Sequence, residues 1–269
     1  MDLALQGKVA IVTGGSKGLG RGIAEALVAE GCHVSICARS EDEVRQTAEA
    51  LESQAPSGTR VLAVPADLTQ EADRRRLVEA TLNAFGNVDI LVNNAGTIGQ
   101  HGTLEETPLE EWKSLFELNV FAVVALTKDV LPYMQKQGWG RIINVSSENG
   151  TQPYPDMIHY SASKGALDNF SKALSKQVAQ DGVLVNTISP AFIETPLVDA
   201  MMEQTAEQQG ITKREAVQQF LAEHRPHIEL GRPGRISEVG PLVAFLASDK
   251  ASFINGSNYR IDGGSVASV

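Results

Sequence analysis

Apolar segments of strand length alternate with helix-like segments along almost the whole chain. The predicted strands lie at 8–13, 33–38, 60–65, 89–92, 141–146, 183–188 and 258–261. The predicted helices lie near 18–30, 41–54, 70–85, 108–137, 159–181 and 237–247. Because each strand is a continuous apolar run, the pattern is typical of a parallel sheet covered by helices on both faces. We therefore predict an α/β fold, a doubly wound parallel sheet of seven strands flanked by helices.

Residues 196–230 interrupt this alternation. The segment is polar and helix-prone, and its large apolar residues, such as Met201 and Phe220, fall on scattered turns. We predict a helical insertion that stands over the sheet as a lid; a rigid contact between subunits is the alternative. Since no repeat, linker or break in composition marks a second unit, residues 1–269 are predicted to form one domain.

The composition excludes several classes of function. The 269 residues include 23 basic and 33 acidic side chains, a net charge of −10 without a basic stripe, so we expect no nucleic-acid partner. No apolar run reaches the ~18 residues of a membrane span, and no basic-then-apolar leader opens the sequence. We therefore expect no membrane partner and a cytoplasmic location. The five histidines show no metal-ligand spacing, so no metal site is predicted.

Of the two cysteines, Cys32 lies just before the second predicted strand and Cys37 lies near its end. Five extended residues span about 16 Å, which is too far for a disulfide. We expect both to be buried thiols in a reducing compartment.

A glycine-rich turn follows the first predicted strand. Residues 14–20 read Gly-Gly-Ser-Lys-Gly-Leu-Gly, and a helical pattern follows. A strand, a glycine turn and a helix bring backbone N–H groups and a helix N-terminus up to a pyrophosphate, and glycine permits the positive φ and the close approach that this needs. The turn predicts a dinucleotide site, although an ordinary tight turn is the alternative. The predicted contacts are Gly14, Ser16, Lys17, Gly18, Leu19 and Gly20.

The end of the second predicted strand bears on the choice of dinucleotide. An acidic residue at this place accepts hydrogen bonds from a free ribose, whereas a nearby arginine suits a 2′-phosphate. Here the strand ends Cys37-Ala38-Arg39-Ser40, without a carboxylate. Arg39 can bind a phosphate through two parallel hydrogen bonds, and Lys17 adds a second cation on the same side. We predict NADP(H) rather than NAD(H); an arginine here without a second cation would be read as a plain surface charge.

Tyr160 and Lys164 lie four residues apart on a predicted helix. The spacing places the phenol and the ammonium on one face, where a fixed cation favours the phenolate and lowers the pKa of the tyrosine. A tyrosine tuned in this way can give a proton to a carbonyl or take one from an alcohol. Alone, the pair is equally consistent with an exposed helix and a solvated lysine. Beside a dinucleotide site, it predicts oxidoreductase chemistry.

Taken together, in order and spacing, these motifs resemble those of the short-chain dehydrogenase/reductase family over nearly the whole chain. The matching segments are the turn at 13–20, Asp67 with Leu68, Asn93-Asn94-Ala95-Gly96, Asn119, Ser147 thirteen residues before Tyr160, Pro190 with Ile193 and Thr195, and Asp262-Gly263-Gly264. Ala191 departs from the pattern, since a glycine usually follows the proline. The alanine affects only the backbone flexibility expected of the nicotinamide loop, and it leaves the implied chemistry unchanged. The general pattern is most similar to that of 3-oxoacyl-[acyl-carrier-protein] reductases.

The resemblance implies a role for each matching residue. Tyr160 is the general acid in carbonyl reduction, and Ser147 hydrogen-bonds the same oxygen. Lys164 lowers the pKa of the tyrosine and holds the nicotinamide ribose, while Asn119 holds a water that links the lysine to solvent. For Asn119 a plain helix kink is the alternative, and for Asp67 a helix N-cap. The other residues assigned to the cofactor are Asp67, Leu68, Asn93, Ala95, Gly96, Pro190, Ile193 and Thr195, with Tyr160 and Lys164 contributing as well.

The implied activity is the NADP(H)-dependent reduction of a ketone to a secondary alcohol, or the reverse. The family also implies a homotetramer, with helices 108–137 and 159–181 at an interface. The loop after Ser147 offers an aromatic, two carboxylates and an amide, which fits a medium-sized ketone with polar groups. The sequence does not identify that ketone.

Three alternatives remain. The first is that the substrate is a 3-oxoacyl group bound to a carrier protein. Gly138 and Asp181 argue against this hypothesis, because they stand where carrier-binding reductases have basic residues. A non-catalytic NADP-binding sensor or scaffold is the second, and the intact set of four catalytic residues argues against it. Epimerisation or dehydration is the third, and members with those activities have longer C-terminal substrate domains.

Overall fold

A seven-stranded sheet forms the centre of the computed structural model, which describes residues 2–268. Its strands are β1 Val9–Thr13, β2 His33–Ala38, β3 Val61–Pro65, β4 Ile90–Asn93, β5 Gly140–Val145, β6 Val183–Pro190 and, after two short strands, β9 Asn258–Ile261. They are all parallel and lie in the order β3-β2-β1-β4-β5-β6-β9. The short strands β7 Ile193–Glu194 and β8 Gly234–Arg235 pair outside this sheet. The predicted doubly wound parallel α/β fold is confirmed.

Helices connect the strands and cover both faces of the sheet. They are α1 Gly18–Ala29, α2 Glu41–Ser53, α3 Glu71–Phe85, α4 Leu109–Phe116, α5 Ala122–Gln137, α6 Ile158–Val178, α7 Pro196–Gln209, α8 Lys213–His224 and α9 Gly240–Ala247. Within the part of the chain that the structure describes, none is long and apolar enough to cross a membrane.

The strands divide their side chains between two hydrophobic cores. Successive strand residues point to opposite faces, so Ala10 and Val12 pack with α1 and α9, whereas Ile11 packs with α3, α5 and α6. The same alternation separates Ile90 from Leu91. Because both faces are buried, most strand side chains are apolar, and the carboxyl ends of the strands offer the accessible edge where a site can form.

Two helical predictions need correction in detail. The helix predicted at 108–137 is interrupted by a π-helical turn, Glu117–Phe121, between α4 and α5. The segment 196–230 holds two helices, α7 and α8, capped at their starts by Thr195 and Thr212. The insertion is therefore helical as predicted, and its movement as a lid stays a prediction.

One buried carboxylate joins two chain segments, 8–9 and 87–89, at the start of the sheet. Asp89 Oδ2 accepts the Val9 N–H at 2.8 Å, and its Oδ1 accepts from Asn87 Nδ2 at 3.1 Å and lies 3.6 Å from Lys8 Nζ. Removing the carboxylate leaves the Val9 N–H buried without an acceptor.

We expect Asp89→Ala to lower the free energy of unfolding by about 1–3 kcal/mol, the cost of one unsatisfied buried donor. Urea denaturation followed by circular dichroism measures the change. Glu52→Ala, which removes an exposed carboxylate late in α2, is the matched control and should change stability by less than about 0.5 kcal/mol. Equal stabilities of the two variants would contradict the assigned role of Asp89.

Candidate active site

The carboxyl ends of the parallel strands meet at one edge of the sheet, and two adjoining cavities lie there. In an open α/β sheet this edge binds ligands at the point where the strand order reverses, here between β1 and β4. The larger cavity is a cleft of 960 Å³ over the ends of β1, β2 and β4. The smaller one measures 370 Å³ and lies over the ends of β5 and β6. Gly96, Thr97 and Thr195 border both, so the two cavities communicate.

The structure brings most of the predicted cofactor-binding residues to the walls of the larger cavity. They are Gly14, Ser16, Lys17, Gly18, Leu19, Gly20, Arg39, Asp67, Leu68, Ala95, Gly96 and Thr195. Pro190 and Ile193 border the smaller cavity together with Ser147, Tyr160 and Lys164.

The glycine turn leaves a cradle at the start of α1. Gly18 has a φ of +56°, and a Cβ placed there would meet nothing nearer than Thr195, at 3.9 Å. The helix has no side-chain cap at Lys17 and no acidic residue in its first turn. Its free N–H groups and positive dipole end therefore face the cleft, which is the arrangement that binds a phosphate. The cavity fits a dinucleotide on these grounds.

Two cations border the far end of this cleft, but one of them already has a partner. Lys17 Nζ lies 3.4 Å from Glu43 Oε2, and both side chains are exposed. Arg39 makes no salt bridge to any of the residues 2–268. Glu43, which the sequence reasoning overlooked, therefore weakens the positive field of Lys17, and Arg39 is the cation of the two that makes no salt bridge to residues 2–268.

The structure corrects the alternative reading of Asp67 as a helix N-cap. Helix α3 begins at Glu71, with Gln70 at the cap position. Asp67 Oδ1 accepts instead from the backbone N–H and the hydroxyl of Thr69, at 3.0 and 2.8 Å. The carboxylate is held in a local turn at the wall of the cleft.

Asn93 does not reach either cavity, contrary to its predicted contact with the cofactor. Its Nδ2 donates to Asn144 Oδ1 at 2.8 Å and to Thr127 Oγ1 at 3.3 Å, inside the sheet. The next residue, Asn94, borders both cavities, and its Nδ2 donates to the Thr13 carbonyl at 2.8 Å. Strand pleating turns neighbouring side chains to opposite sides, so only one of the two asparagines can face the site.

Tyr160 and Lys164 lie one turn apart on α6, with the lysine Nζ 5.6 Å from the centre of the tyrosine ring. The Nζ donates to the Val145 carbonyl oxygen at 2.9 Å. Burial raises the pKa of Tyr160, and the Ser147 hydroxyl acts in the opposite direction. In the protein alone the groups that lower this pKa are Ser147 and Arg225, and the lowering by Lys164 stays a prediction. A protonated phenol is nevertheless the form that donates a proton.

Asn119 stands in the π-helical turn, which explains why the helix is interrupted there. Its Nδ2 donates to the Thr97 carbonyl at 2.8 Å and to Ser163 Oγ at 3.2 Å, and its Oδ1 accepts the Thr97 N–H at 2.9 Å. A π-turn re-aims a side chain without ending the helix. Asn119 borders neither cavity; it fixes Thr97, which borders both.

The sequence reasoning missed Asp168, one turn after Lys164 on the same face of α6. Burial lowers the pKa of Lys164 to about 8, and Asp168 acts against that decrease. Burial also raises the pKa of Asp168 to about 6, although Ser146 and Lys164 favour its ionised form. Its Oδ1 is buried without a hydrogen-bond partner among residues 2–268. The i, i+4 spacing from Lys164 is the signal that could have identified it.

Asp168 should make folding stability depend on pH. The folded protein keeps this carboxyl protonated up to about pH 6, whereas the unfolded chain loses the proton near 3.8. Stability should therefore fall as the pH rises through this window, by up to about 3 kcal/mol for a shift of two units. In Asp168→Asn this decline should be absent, so the variant gains on the wild type from pH 4 to 7 in urea unfolding. Asp42→Asn, at an exposed site, is the control; parallel curves for all three proteins would refute the assignment.

Known proteins with the same architecture bind nicotinamide cofactors. The L-sorbose reductase of Gluconobacter frateurii, solved with NADPH and L-sorbose, superposes with a TM-score of 0.93 at 35% identity, over 100% of both chains. The 3-ketoacyl-(acyl-carrier-protein) reductase of Brucella melitensis, solved with NADH, gives a TM-score of 0.84 at 32% identity, over 97% of this chain and 99% of that one.

Sequence comparison points to the same family. The D-beta-hydroxybutyrate dehydrogenase of Cupriavidus necator is 35% identical over 264 residues, which is 98% of this chain and 99% of that protein. The model of the short chain dehydrogenase family matches residues 8–206. Together with the strand order and the residues at the sheet edge, these matches show that the chain belongs to the short-chain dehydrogenase/reductase family of oxidoreductases.

Proposed function

We propose that the protein reduces a ketone to a secondary alcohol, or carries out the reverse reaction, with NADP(H) as the hydride carrier. The observation that carries this proposal is the position of Ser147 and Tyr160. Both border the smaller cavity, which shares Gly96 and Thr195 with the cleft suited to a dinucleotide. A ketone in the smaller cavity would have its oxygen next to two hydroxyl groups.

The chain's own residues divide the work between binding and proton transfer. The glycine turn and the start of α1 would hold the pyrophosphate, and Lys164 the nicotinamide ribose. The bound nicotinamide would supply or accept the hydride. Tyr160 donates the proton to the carbonyl oxygen in reduction, and Ser147 hydrogen-bonds that oxygen so that its developing charge is stabilised.

Proton supply to Tyr160 would run through Lys164. The lysine pKa of about 8 lies near neutrality, so its ammonium can release and regain a proton at low cost. Asn119 is proposed to act on this path through Thr97 and a water molecule. The retention of all four residues favours an enzyme over a non-catalytic NADP-binding sensor or scaffold, which has no need of them.

Preference for NADP(H) over NAD(H) is supported by Arg39. Its guanidinium is exposed at the end of β2, borders the cleft and has no carboxylate beside it in the described chain. The related structures include one with NADPH and one with NADH, so the preference depends on this chain's own residues.

A carrier-bound 3-oxoacyl substrate is the second candidate, favoured by the likeness to the Brucella reductase. Against it, Asp181 at the end of α6 is acidic and bonds Gln135 Nε2 at 2.7 Å. The acidic carrier protein would meet no basic side chain at this position.

We propose further that the protein is a cytoplasmic homotetramer with its α4–α5 and α6 surfaces at an interface. Phe121, between α4 and α5, is a large apolar side chain that is 55% exposed, which supports an interface at the α4–α5 surface. The thiols of Cys32 and Cys37 are free and buried, which suits a reducing compartment such as the cytoplasm.

Replacing Tyr160 by phenylalanine should remove the proton donor without changing the cavity. We expect kcat for ketone reduction to fall at least about 100-fold, the usual share of general acid catalysis. NADPH affinity, measured by fluorescence titration, should stay within about twofold, because only one hydroxyl is lost. Tyr259→Phe on β9, which borders neither cavity, is the control. Substantial residual turnover by Tyr160→Phe would refute its role.

The cofactor preference can be tested at Arg39. We expect Arg39→Asp to lower the ratio of kcat/KM for NADPH over NADH by about 10- to 100-fold, the value of a charge-assisted bond to phosphate. Arg45→Asp, on the exposed face of α2 outside the cleft, should leave the ratio unchanged. An unchanged ratio in Arg39→Asp would contradict the NADP(H) proposal.

A further inference from the structure

Glu148 follows Ser147 directly and holds a carboxylate inside the protein. Its side chain is 2% exposed and borders the 370 Å³ cavity. Oε1 accepts from the Tyr154 hydroxyl at 3.2 Å, but Oε2 has no hydrogen-bond partner in residues 2–268. Burial raises the pKa of Glu148, while the hydroxyls of Ser265 and Tyr154 and the charge of Arg225 favour its ionised form. Since no group of residues 2–268 completes a hydrogen bond to Oε2, a further donor from a bound molecule would stabilise this oxygen.

Arg225, just beyond the end of α8, approaches the same carboxylate from the insertion. Its Nε lies 3.9 Å from Glu148 Oε1, and its guanidinium stacks 4.2 Å from the centre of the Tyr154 ring. The side chain is 10% exposed and also borders the cavity. The two opposite charges therefore face each other in the wall of a cavity that is also lined by apolar side chains such as Phe192 and Met201.

The opposite charges of Glu148 and Arg225 decide which substrate group can bind next to them in the cavity. A substrate carboxylate would approach Glu148 as a like charge, and Arg225 has little positive charge left to offer it. An alkyl group would leave Glu148 Oε2 without a donor. A hydroxyl group supplies the missing hydrogen-bond donor and adds no charge.

The pair also lies near the reacting groups. Its two charges act on the pKa of Tyr160, which Glu148 raises and Arg225 lowers. Glu148 is moreover the direct neighbour of Ser147 in the chain. A hydroxyl bound here would thus belong to a carbon close to the carbonyl.

We propose that Glu148, supported by Arg225, forms a hydroxyl-binding subsite, so that the protein acts on polyhydroxylated ketones rather than on keto acids or plain ketones. The inference rests on the proposed ketone reduction at Tyr160. It assigns the specificity to one residue after the catalytic serine and to one residue of the insertion.

The test compares substrates of similar length that differ at the proposed subsite. Initial rates of NADPH oxidation are measured with fructose, sorbose and tagatose, with 2-hexanone, and with 4-oxopentanoate. The wild type should have its highest kcat/KM with one of the ketohexoses. In Glu148→Gln this value should fall about 10- to 100-fold, as expected for a hydrogen bond to a charged group, while that for 2-hexanone stays the same or rises.

Controls separate a specificity role from a structural one. Circular dichroism and thermal unfolding show whether Glu148→Gln is folded, and Glu207→Gln, exposed on α7 outside the cavity, should behave as wild type with every substrate. Preference of the wild type for 4-oxopentanoate or 2-hexanone would overturn the subsite, as would an equal fall for all ketones in Glu148→Gln.

Failure of the proposed reaction would look different. If the wild type reduced none of these ketones, the ketone reductase proposal would be contradicted, and calorimetric titration with sorbitol would decide the subsite by itself. Sorbitol binding that Glu148→Gln abolishes would support it; no binding, or equal binding by both proteins, would overturn it.

Discussion

The hydrogen bond from Lys164 Nζ to the Val145 carbonyl oxygen, 2.9 Å long, ties helix α6 to the end of β5. Two residues after Val145 the chain reaches Ser147, and one turn before Lys164 the helix carries Tyr160. The bond therefore fixes the serine on one element relative to the tyrosine on the other. The ammonium is also buried, and burial lowers its pKa to about 8. The position of the lysine thus depends on this contact, and its proton affinity depends on its burial.

Burial of charge in pairs is the second property of this region. Lys164 lies near Asp168, and Glu148 lies near Arg225, so each buried cation here has an acidic side chain close to it. Such pairs seldom stabilise a fold, since desolvation consumes most of their attraction. Their presence beside Tyr160 fits the roles in binding and proton transfer that we propose. Buried charge pairs that contribute little to stability are expected at functional sites.

The sequence predicts the sheet well because its apolar runs reflect burial on two faces, and it predicts the glycine turn because few residues other than glycine tolerate its backbone. It fails where tertiary contacts decide. The π-turn at Asn119 follows from bonds to Thr97, which no helical pattern contains. The choice between Asn93 and Asn94 depends on where β4 ends to within one residue. The raised pKa of Tyr160 depends on burial, and Arg225 reaches Glu148 from 77 positions away in the chain.

The central claim is that the cleft and the Tyr160 cavity form one site in which a hydride and a proton reach the same carbonyl group. Reduction of a ketohexose with NADPH that carries deuterium at the transferable position tests it most directly. Mass spectrometry of the alcohol should find one deuterium on the former carbonyl carbon, and a solvent isotope effect should accompany turnover because the proton comes from an exchangeable hydroxyl. An alcohol product without that deuterium would contradict the account.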